Sequence, residues 1–577
     1  MEWYFSSSSA VLLLFACTII GLVRFQNYPE RVFGVLLLIL VASGIVTGQQ
    51  VIKSFSNQGV LTLILLMVCS LALEKTKLLR VAATFIVRPS YASSWFRLFS
   101  FSALSSALLN NTAVVSTLLA PIRNNPYHSG SRLLLPLSYA AIFGGTLTLI
   151  GTSTNLIVNS MAINAHLPAL GFFDFTLIGG MVVLVCGIAL VFFSRWLPQH
   201  KKHQVVAADY FIDAKVQPGS SLIGKTIEAN GLRNLESLFL VEILREGRLI
   251  SPVTPFEIIE ENDRLIFSGD IKKITLLAQF DGLNSYAHKN GLPLNNLKEV
   301  IIRPDSVLIG KKLKLSGFRA LFDSAVIGIR RDGEKLSGKL GDIVLKAGDY
   351  LIIAVGDDFK SRRNINKNFY RVSDVEADQC LNGWREHLSV YGFFVAILLA
   401  AVGCVPLFTS LLIFLGALLL CGCLSSNEIM HRLPKNIWLI VSSALVLSEA
   451  LTNTGALNGL KQWVSYHQAD FSPLLGIIVI YVLTWILTEL VTNNAAAALI
   501  FPLSISMAES LHTSPKAYLL ALAFGASASF ISPYGYQTNL MVYSAGNYRL
   551  KDFMKIGLPI SIIYGTVVVG MLGYFYL

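Results

Sequence analysis

Four short polar strings interrupt otherwise apolar sequence: LLNNTAVV at 108–115, GGTLTLIGTSTNL at 144–156, LVTNNAAA at 490–497 and ASASFISPYGYQTNL at 526–540. Their residue types suit ions. Asn offers a carbonyl oxygen to a cation and an NH2 to an oxyanion, and a Ser or Thr hydroxyl serves either. Where such residues break a helix, the freed amides of a half-helix N-terminus favour an anion and the freed carbonyls favour Na+. The candidate ligand set is Asn110, Asn111 and Thr112 facing Gly151, Thr152, Ser153, Thr154 and Asn155, and Thr492, Asn493 and Asn494 facing Ser532, Pro533, Tyr534, Gly535 and Asn539. No Lys, Arg or His lies in the four strings, so a His proton relay has no support and positive potential must come from a bound cation and from helix dipoles.

The elements that must hold these residues occur in pairs. Each Asn string runs into a proline, Pro121 or Pro502, and the next polar string follows at a similar distance, 44 positions from Asn111 to Asn155 and 46 from Asn493 to Asn539. Upstream, LTLILLMVCSLALEKT at 61–76 corresponds to IWLIVSSALVLSEALT at 437–452. The chain therefore carries one unit twice: a re-entrant hairpin with an Asn-bearing tip, then a broken helix. Polar backbone at membrane depth is tolerated only where it is buried or lines a cavity, and paired interrupted segments point to a transporter's binding site. The structural alternative is that these polar groups only bond helices together; four clusters in register argue for a site. Glu489, one helical turn before Asn493, either adds charge near an ion or orients the hairpin by hydrogen bonds, and Glu449 reads as structural.

Composition sets the class. With 54% hydrophobic and 14% charged residues, against roughly 25% charged in soluble domains, the chain reads as a polytopic α-helical membrane protein. Apolar runs near spanning length include 10–23, 32–46, 59–73, 175–193, 391–405 and 557–577. The N-terminus lacks the pattern of a removable signal peptide. The seven Cys are scattered, and Cys421 and Cys423 form a C-x-C without a second ligand pair, so no transition-metal site is expected. The net charge of +11 marks topology rather than nucleic acid. With five spans and one hairpin per half, the halves are inverted repeats. An external N-terminus then puts eighteen basic residues, among them Arg24, Lys75, Arg88, Arg123, Arg132, Arg195, Arg385, Arg432 and Lys555, on the cytoplasmic side, and only Lys53, Lys461 and Lys516 outside. Residues 77–97 read as a surface-lying helix.

Between the halves, residues 201–386 are polar, with charges among short β-type runs. VQPGSSLIGKT at 216–226 resembles IRPDSVLIGKK at 302–312, and each copy closes on a turn and strand, NDRLIFSG at 262–269 and GDYLIIAVG at 348–356. The expected organisation is membrane half one at 1–200 (hairpin 98–123, broken helix 134–162), α/β lobes at 201–288 and 289–372, a linker at 373–386, and membrane half two at 387–577 (hairpin 474–508, broken helix 517–546). The insert is cytoplasmic and both termini are external in this arrangement.

At these residues the chain resembles the divalent anion–sodium symporter family, over nearly 400 residues of both membrane halves. The family carries a Ser-Asn-Thr hairpin tip twice and a Gly-Thr-Pro-Pro-Asn-like break. The tips here read Asn110-Asn-Thr112 and Thr492-Asn-Asn494, so the middle Asn is kept and the second Thr is replaced. The resemblance implies an elevator-type homodimer in the plasma membrane, with Na+ as the coupling ion and no other cofactor. It assigns Na+ to Asn111, Gly151, Thr152, Asn155, Asn493, Ser532 and Asn539, and the anion to Asn110, Thr112, Ser153, Thr492, Asn494 and Pro533. The insert lobes resemble TrkA-C (RCK-C) domains. Members with that insert, and with a break like SPYGYQTN at 532–539, resemble sulfate carriers, which places sulfate ahead of a dicarboxylate or citrate. For the insert, a small regulatory ligand such as cyclic di-AMP and a ligand-free dimer-stabilising role stay open. An RCK-gated channel is the reading from another class; a Thr-Val-Gly-Tyr-Gly filter is absent. The Gly-rich stretch at 143–151 lacks Rossmann and Walker spacings, so an enzyme is not expected.

Overall fold

The computed structural model describes residues 7–25, 28–76, 85–123, 125–199, 211–232, 238–246, 248–250, 253–269, 283–286, 297–331, 334–336, 340–356, 358–359, 362, 364–371, 381, 383–467 and 471–577. Before the insert come α1 (Ser7–Arg24), α2 (Pro29–Ala42), α3 (Gly48–Phe55), α4 (Gln58–Glu74), α5 (Tyr91–Ser106), α6 (Asn111–Arg123), α7 (Leu134–Gly145), α8 (Ser153–Asn164) and α9 (Thr176–Phe193). After it come α10 (Trp384–Ala401), α11 (Leu407–Leu420), α12 (Ser426–Arg432), α13 (Lys435–Asn453), α14 (Asn458–Tyr466), α15 (Pro473–Leu490), α16 (Asn493–Ser510), α17 (Pro515–Ser527), α18 (Gln537–Ala545) and α19 (Leu550–Tyr576). Among the described residues, six stretches are long and apolar enough to cross a membrane: Ser7–Arg24, Gly48–Glu74, Thr176–Trp196, Lys435–Asn453, Pro473–Leu490 and Leu550–Tyr576. At 1.5 Å per residue the 18 residues of α15 span about 27 Å. Local chemistry starts them: Ser472 accepts from Leu475 N ahead of a Pro at the first turn of α15, and Asn57 accepts from Gly59 and Val60 N at α4.

The helices sort into two packed groups. α2, α3 and α13 pack together, as do α4, α10 and α11; these form a frame. The hairpin α5/α6 packs on α7, the hairpin α15/α16 packs on α17, and α9 packs on α19. Every residue of α7 is buried, as is every residue of α17 from Ala517 on. α4 touches α8 and α13 touches α16 where frame meets hairpin group. Between α7 and α8 lies the break at 146–152, and between α17 and α18 the break at 528–536. Each break rests on a glycine of the following long helix: a Cβ on Gly179 would meet Thr146 O and Leu147 Cα, and one on Gly557 would meet Phe530 O and Ile531 Cα. A bare Cα there lets the irregular backbone press against a helix.

The insert folds as two sheets of one design. β1 (Phe211–Val216), β2 (Leu238–Arg245), β3 (Arg248–Ile250), β4 (Arg264–Gly269) and β5 (Leu283–Tyr286) lie in the order β3-β2-β4-β1-β5. β6 (Leu297–Ile302), β7 (Ser324–Arg331), β8 (Glu334–Lys335), β9 (Tyr350–Val355) and β10 (Phe369–Arg371) lie in the order β10-β6-β9-β7-β8, the same path read from the other edge. All pairings are antiparallel, and the register shift in β2, between Leu240 and Glu242, recurs in β7 between Val326 and Gly328. In each lobe a fork-on-fork pair ties strand to turn: Arg245 to Asp263 through Nε at 2.9 Å and Nη2 at 2.9 Å, and Arg331 to Asp349 through Nε at 2.7 Å and Nη2 at 2.7 Å. Both carboxylates are buried, where a bidentate guanidinium compensates the loss of water. Among the described residues of the lobes, α-helix is limited to Phe318–Phe322 and Ile365–Asn368.

The second lobe docks on the helices. Arg123, at the end of α6, pairs with Glu299 of β6 at 2.6 Å and stands 4.9 Å over the Tyr350 ring. Ser544 of α18 donates to Gly348 O at 2.6 Å. Ile301, Tyr350, Ile352 and Tyr370 bury their side chains in the same core as the helices. On this insert side Lys75 pairs with Glu428 at 2.8 Å and Arg432 with Glu74 at 3.0 Å. At the opposite end Lys461 meets Glu509 at 2.5 Å and Lys516 meets Asp174 at 2.9 Å.

One expectation fails in its described part. Residues 91–97, read as the end of a surface helix, belong to α5, so the first hairpin starts at Tyr91 and not at 98. Ser90, one residue after Pro89, stands at its N-cap, and Arg97 turns back to Phe85 O at 3.0 Å, which places its charge outside the apolar stretch. Residues 77–84 lie outside the described residues.

Candidate functional site

The tips and breaks converge, and they do so across the two halves. α8, which follows the first break, packs on α16, which follows the second tip; α18, which follows the second break, packs on α6, which follows the first tip. Ser153 Oγ donates to Asn494 Oδ1 at 2.9 Å, joining the first break to the second tip. Asn111 Nδ2 donates to Tyr536 Oη at 2.7 Å, and Thr152 Oγ1 lies 3.0 Å from the same hydroxyl, joining the first tip and first break to the second break. Thr112 Oγ1 stands 3.4 Å from Gln537 Oε1.

Each break is closed by its own asparagine. Asn155 Nδ2 donates to Thr148 O at 2.9 Å, and Asn539 Nδ2 donates to Ser529 O at 2.7 Å, so both amides span the gap between half-helices. In the first half Thr148 Oγ1 donates to Ala107 O and accepts from Gly151 N at 3.1 Å, fastening break to hairpin. In the second, Thr488 Oγ1 of α15 donates to Ala526 O at 2.8 Å. At the first tip Asn110 Oδ1 accepts from Thr112 N at 3.0 Å, and Asn110, Gly151 and Ser153 line one cleft with Met67 and Ser70 of α4 and Phe393 of α10.

Glu489 separates the two breaks chemically. Its carboxylate accepts from Phe530 N and Ile531 N at 2.9 Å each and from Ser532 N at 2.8 Å. The amides of the second break, expected to attract an anion, are thus satisfied by the protein's own carboxylate. Asn539 Oδ1 accepts from Ser138 Oγ of α7 at 2.7 Å, and no hydrogen bond joins Asn539 to Asn493. Pro533 is buried within the break, and Thr492 Oγ1 is buried without a hydrogen-bond partner. Among the described residues, no carboxylate binds the amides of the first break in this way. Its α8 starts at Ser153, beside Asn494, with Thr152 at the N-cap giving no side-chain cap; α18 likewise starts after Tyr536 without a side-chain cap, and the cleft lined by Asn110, Gly151 and Ser153 lies at the first break.

Sequence reasoning placed the Asn and Thr residues but gave no role to Tyr536, Ser138, Ser106 or Gln537. Tyr536 lay inside the quoted break string, and an aromatic hydroxyl flanked by Gly and Gln in such a break is a signal, since a buried phenol seeks a partner. Ser138 gave none, because a lone Ser in an apolar helix is common.

Two sets of spanning helices, paired hairpins and paired broken helices define a multi-pass membrane transporter. The chain belongs to the citrate transporter (CitMHS) family, which it matches over residues 13–525. It is 30% identical over 561 residues to a putative sulfur deprivation response regulator of Chlamydomonas reinhardtii, covering 92% of this chain and 95% of that one. It is 28% identical over 557 residues to an uncharacterised transporter of Synechocystis, with 91% and 90% covered. Sodium/sulfate cotransporter 2 of Chlamydomonas reinhardtii is 30% identical over 373 residues, 62% of this chain and 42% of that protein.

Proposed function

We propose that the chain is a Na+-coupled symporter of a divalent oxyanion, with sulfate ahead of a dicarboxylate, working by elevator-type alternating access. The observation that carries this is the contact of Ser153 with Asn494 beside the uncapped start of α8. An oxyanion fits there on neutral donors: the Ser153 and Thr112 hydroxyls, the Asn494 and Asn110 amides, Thr492 Oγ1, and the first turn of α8. Na+ is the second substrate. Asn155, whose NH2 is spent on Thr148 O, turns its carbonyl oxygen to the cation with Gly151, Thr152 and Asn111; Asn493, Ser532 and Asn539 form the second set. A cation there supplies the charge that the missing Lys and Arg do not.

The hairpin group carries the site and moves against the frame of α2–α4, α10, α11 and α13. The halves are inverted repeats. In support, α6 ends at Arg123 on the insert side, whereas Glu509 near the end of its counterpart α16 sits at the opposite end. The basic cluster on the insert side makes that side cytoplasmic by the positive-inside rule, with both termini external, in the plasma membrane and as a homodimer. The insert lobes act as RCK-C-like regulatory domains.

Sulfate is preferred because a relative named sodium/sulfate cotransporter 2 is 30% identical over 62% of the chain. A dicarboxylate stays the alternative because a sodium-dependent dicarboxylate transporter of Staphylococcus saprophyticus is 24% identical over 26% of the chain, although the tip Thr replaced by Asn494 would have been a contact to a carboxylate. Uptake of labelled sulfate and of labelled succinate into proteoliposomes, each with and without a Na+ gradient, tests the reading. Sulfate accumulation driven by Na+ supports it; succinate accumulation in its place selects the alternative, and indifference to Na+ rejects both.

A further inference from the structure

The proposed cation residues of the first half are held by a residue of the second. Tyr536 projects its hydroxyl from the second break to Asn111 Nδ2 at 2.7 Å and Thr152 Oγ1 at 3.0 Å, and Asn493 of the second tip lies at hydrogen-bonding reach of the same oxygen. The ring is buried, so no water competes for these bonds. A phenol has one proton to give and accepts about two bonds. With Asn111 donating, its proton is left for Thr152 or Asn493, not both.

The link runs on in both directions. Asn111 Oδ1 accepts from Ser106 Oγ at 2.5 Å, Thr154 Oγ1 donates to Thr152 Oγ1 at 3.3 Å, and Thr154 Oγ1 lies 3.0 Å from Ser527 Oγ at the end of α17. The reverse arrangement exists as well. Ser138 of the first half donates to Asn539 Oδ1 at 2.7 Å and lies 3.0 Å from Thr538 Oγ1, both just after the second break. Each half therefore places a hydroxyl on the oxygen-bearing residues of the other.

From this geometry we infer that Tyr536 is a positioning residue that couples the two cation-binding sets. A cation drawn to Thr152 and Asn111 takes up their oxygen lone pairs, so Tyr536 loses Thr152 as acceptor and turns its proton to Asn493. Asn493 Oδ1 already accepts from Asn494 N at 3.0 Å, so the phenol proton fills its second acceptor position and sets that carbonyl against the second cation. Ser138 transmits the same competition from Asn539 to α7. The coupling is carried by the shared proton, so it needs the hydroxyl and not the ring. This inference rests on the Na+-symport reading above.

Tyr536→Phe removes the hydroxyl and keeps the ring. In proteoliposomes, the Na+ dependence of sulfate uptake is recorded for the wild type and the variant at saturating sulfate. The expected result is a Hill coefficient for Na+ that is higher in Y536F than in the wild type, with half-saturating Na+ lowered at least about fivefold, the lower end of ordinary site-to-site coupling. A Hill coefficient and half-saturating Na+ equal to wild type overturn the inference while leaving Na+ symport intact. Wild-type uptake that ignores Na+ overturns the function itself. Ser138→Ala, which deletes the reciprocal hydroxyl without touching the ring, is scored by the same criterion, so a folding defect in one variant leaves the other decisive.

Discussion

At the scale of single residues, the proposed site is built from neutral groups, and substitutions in it are expected to separate ion binding from folding. Asn111→Ala and Asn493→Ala remove the amide that each tip offers, and each is expected to lower Na+-driven uptake at least about tenfold, a loss of roughly 1.4 kcal/mol, with little change in the amount of folded protein, checked by uptake and size-exclusion profile together. Glu489 belongs to a different category. Three backbone N–H groups depend on its carboxylate, and hydrogen bonds to a charged group contribute about 1.5–3 kcal/mol each. Glu489→Ala is expected to cost on the order of 3 kcal/mol or more, seen as a lowered midpoint of thermal unfolding in detergent, and Glu489→Gln, which keeps an acceptor oxygen, less than half of that. Equal losses in the two variants would show that the amides do not need the carboxylate. The Asn and Thr residues were legible because amides and hydroxyls are conspicuous in apolar sequence. The partners of Tyr536 and Ser138 were not, because a hydrogen bond between residues 425 or 401 positions apart leaves no local pattern.

Elements explain how irregular backbone is held. The breaks survive because a glycine lies against each, Gly179 under Thr146 and Gly557 under Phe530. Gly179→Ala and Gly557→Ala each force a methyl into backbone atoms, at about 1–3 kcal/mol; both are expected to reduce uptake while leaving the insert sheets folded, as read by hydrogen exchange in β2 and β7. The second lobe depends on Arg123, which is mostly buried between Glu299 and Tyr350. Glu299→Ala leaves that guanidinium without its carboxylate, for about 2 kcal/mol of lost docking, and hydrogen exchange in β6 and β9 is expected to rise at least about tenfold. No change in exchange would mean that the apolar contacts of Ile301, Tyr350 and Ile352 suffice. Hairpin and break positions were readable from polar interruptions and from the spacing of the repeat. The start of the first hairpin was misread because Arg97 looked like a surface residue; the helix tolerates it by sending its guanidinium back to Phe85 O.

For the whole molecule, length and composition sufficed for the membrane class, and the repeated turn strings of the insert foretold two lobes of one design. What sequence could not supply was the mutual engagement of the halves, where each post-break helix packs on the other half's post-tip helix. That packing is nonlocal and is built from alanines, glycines and serines that look alike in any apolar helix. It also makes the two breaks unequal, since Glu489 accepts from the amides of Phe530, Ile531 and Ser532 in the second. The central claim is that Na+ and a divalent oxyanion share this interleaved site. It is tested most directly by measuring labelled sulfate uptake into proteoliposomes under an inward Na+ gradient and under an equal K+ gradient. The account predicts concentrative uptake with Na+, none with K+, and its loss in Asn111→Ala. Equal uptake under both gradients would contradict it.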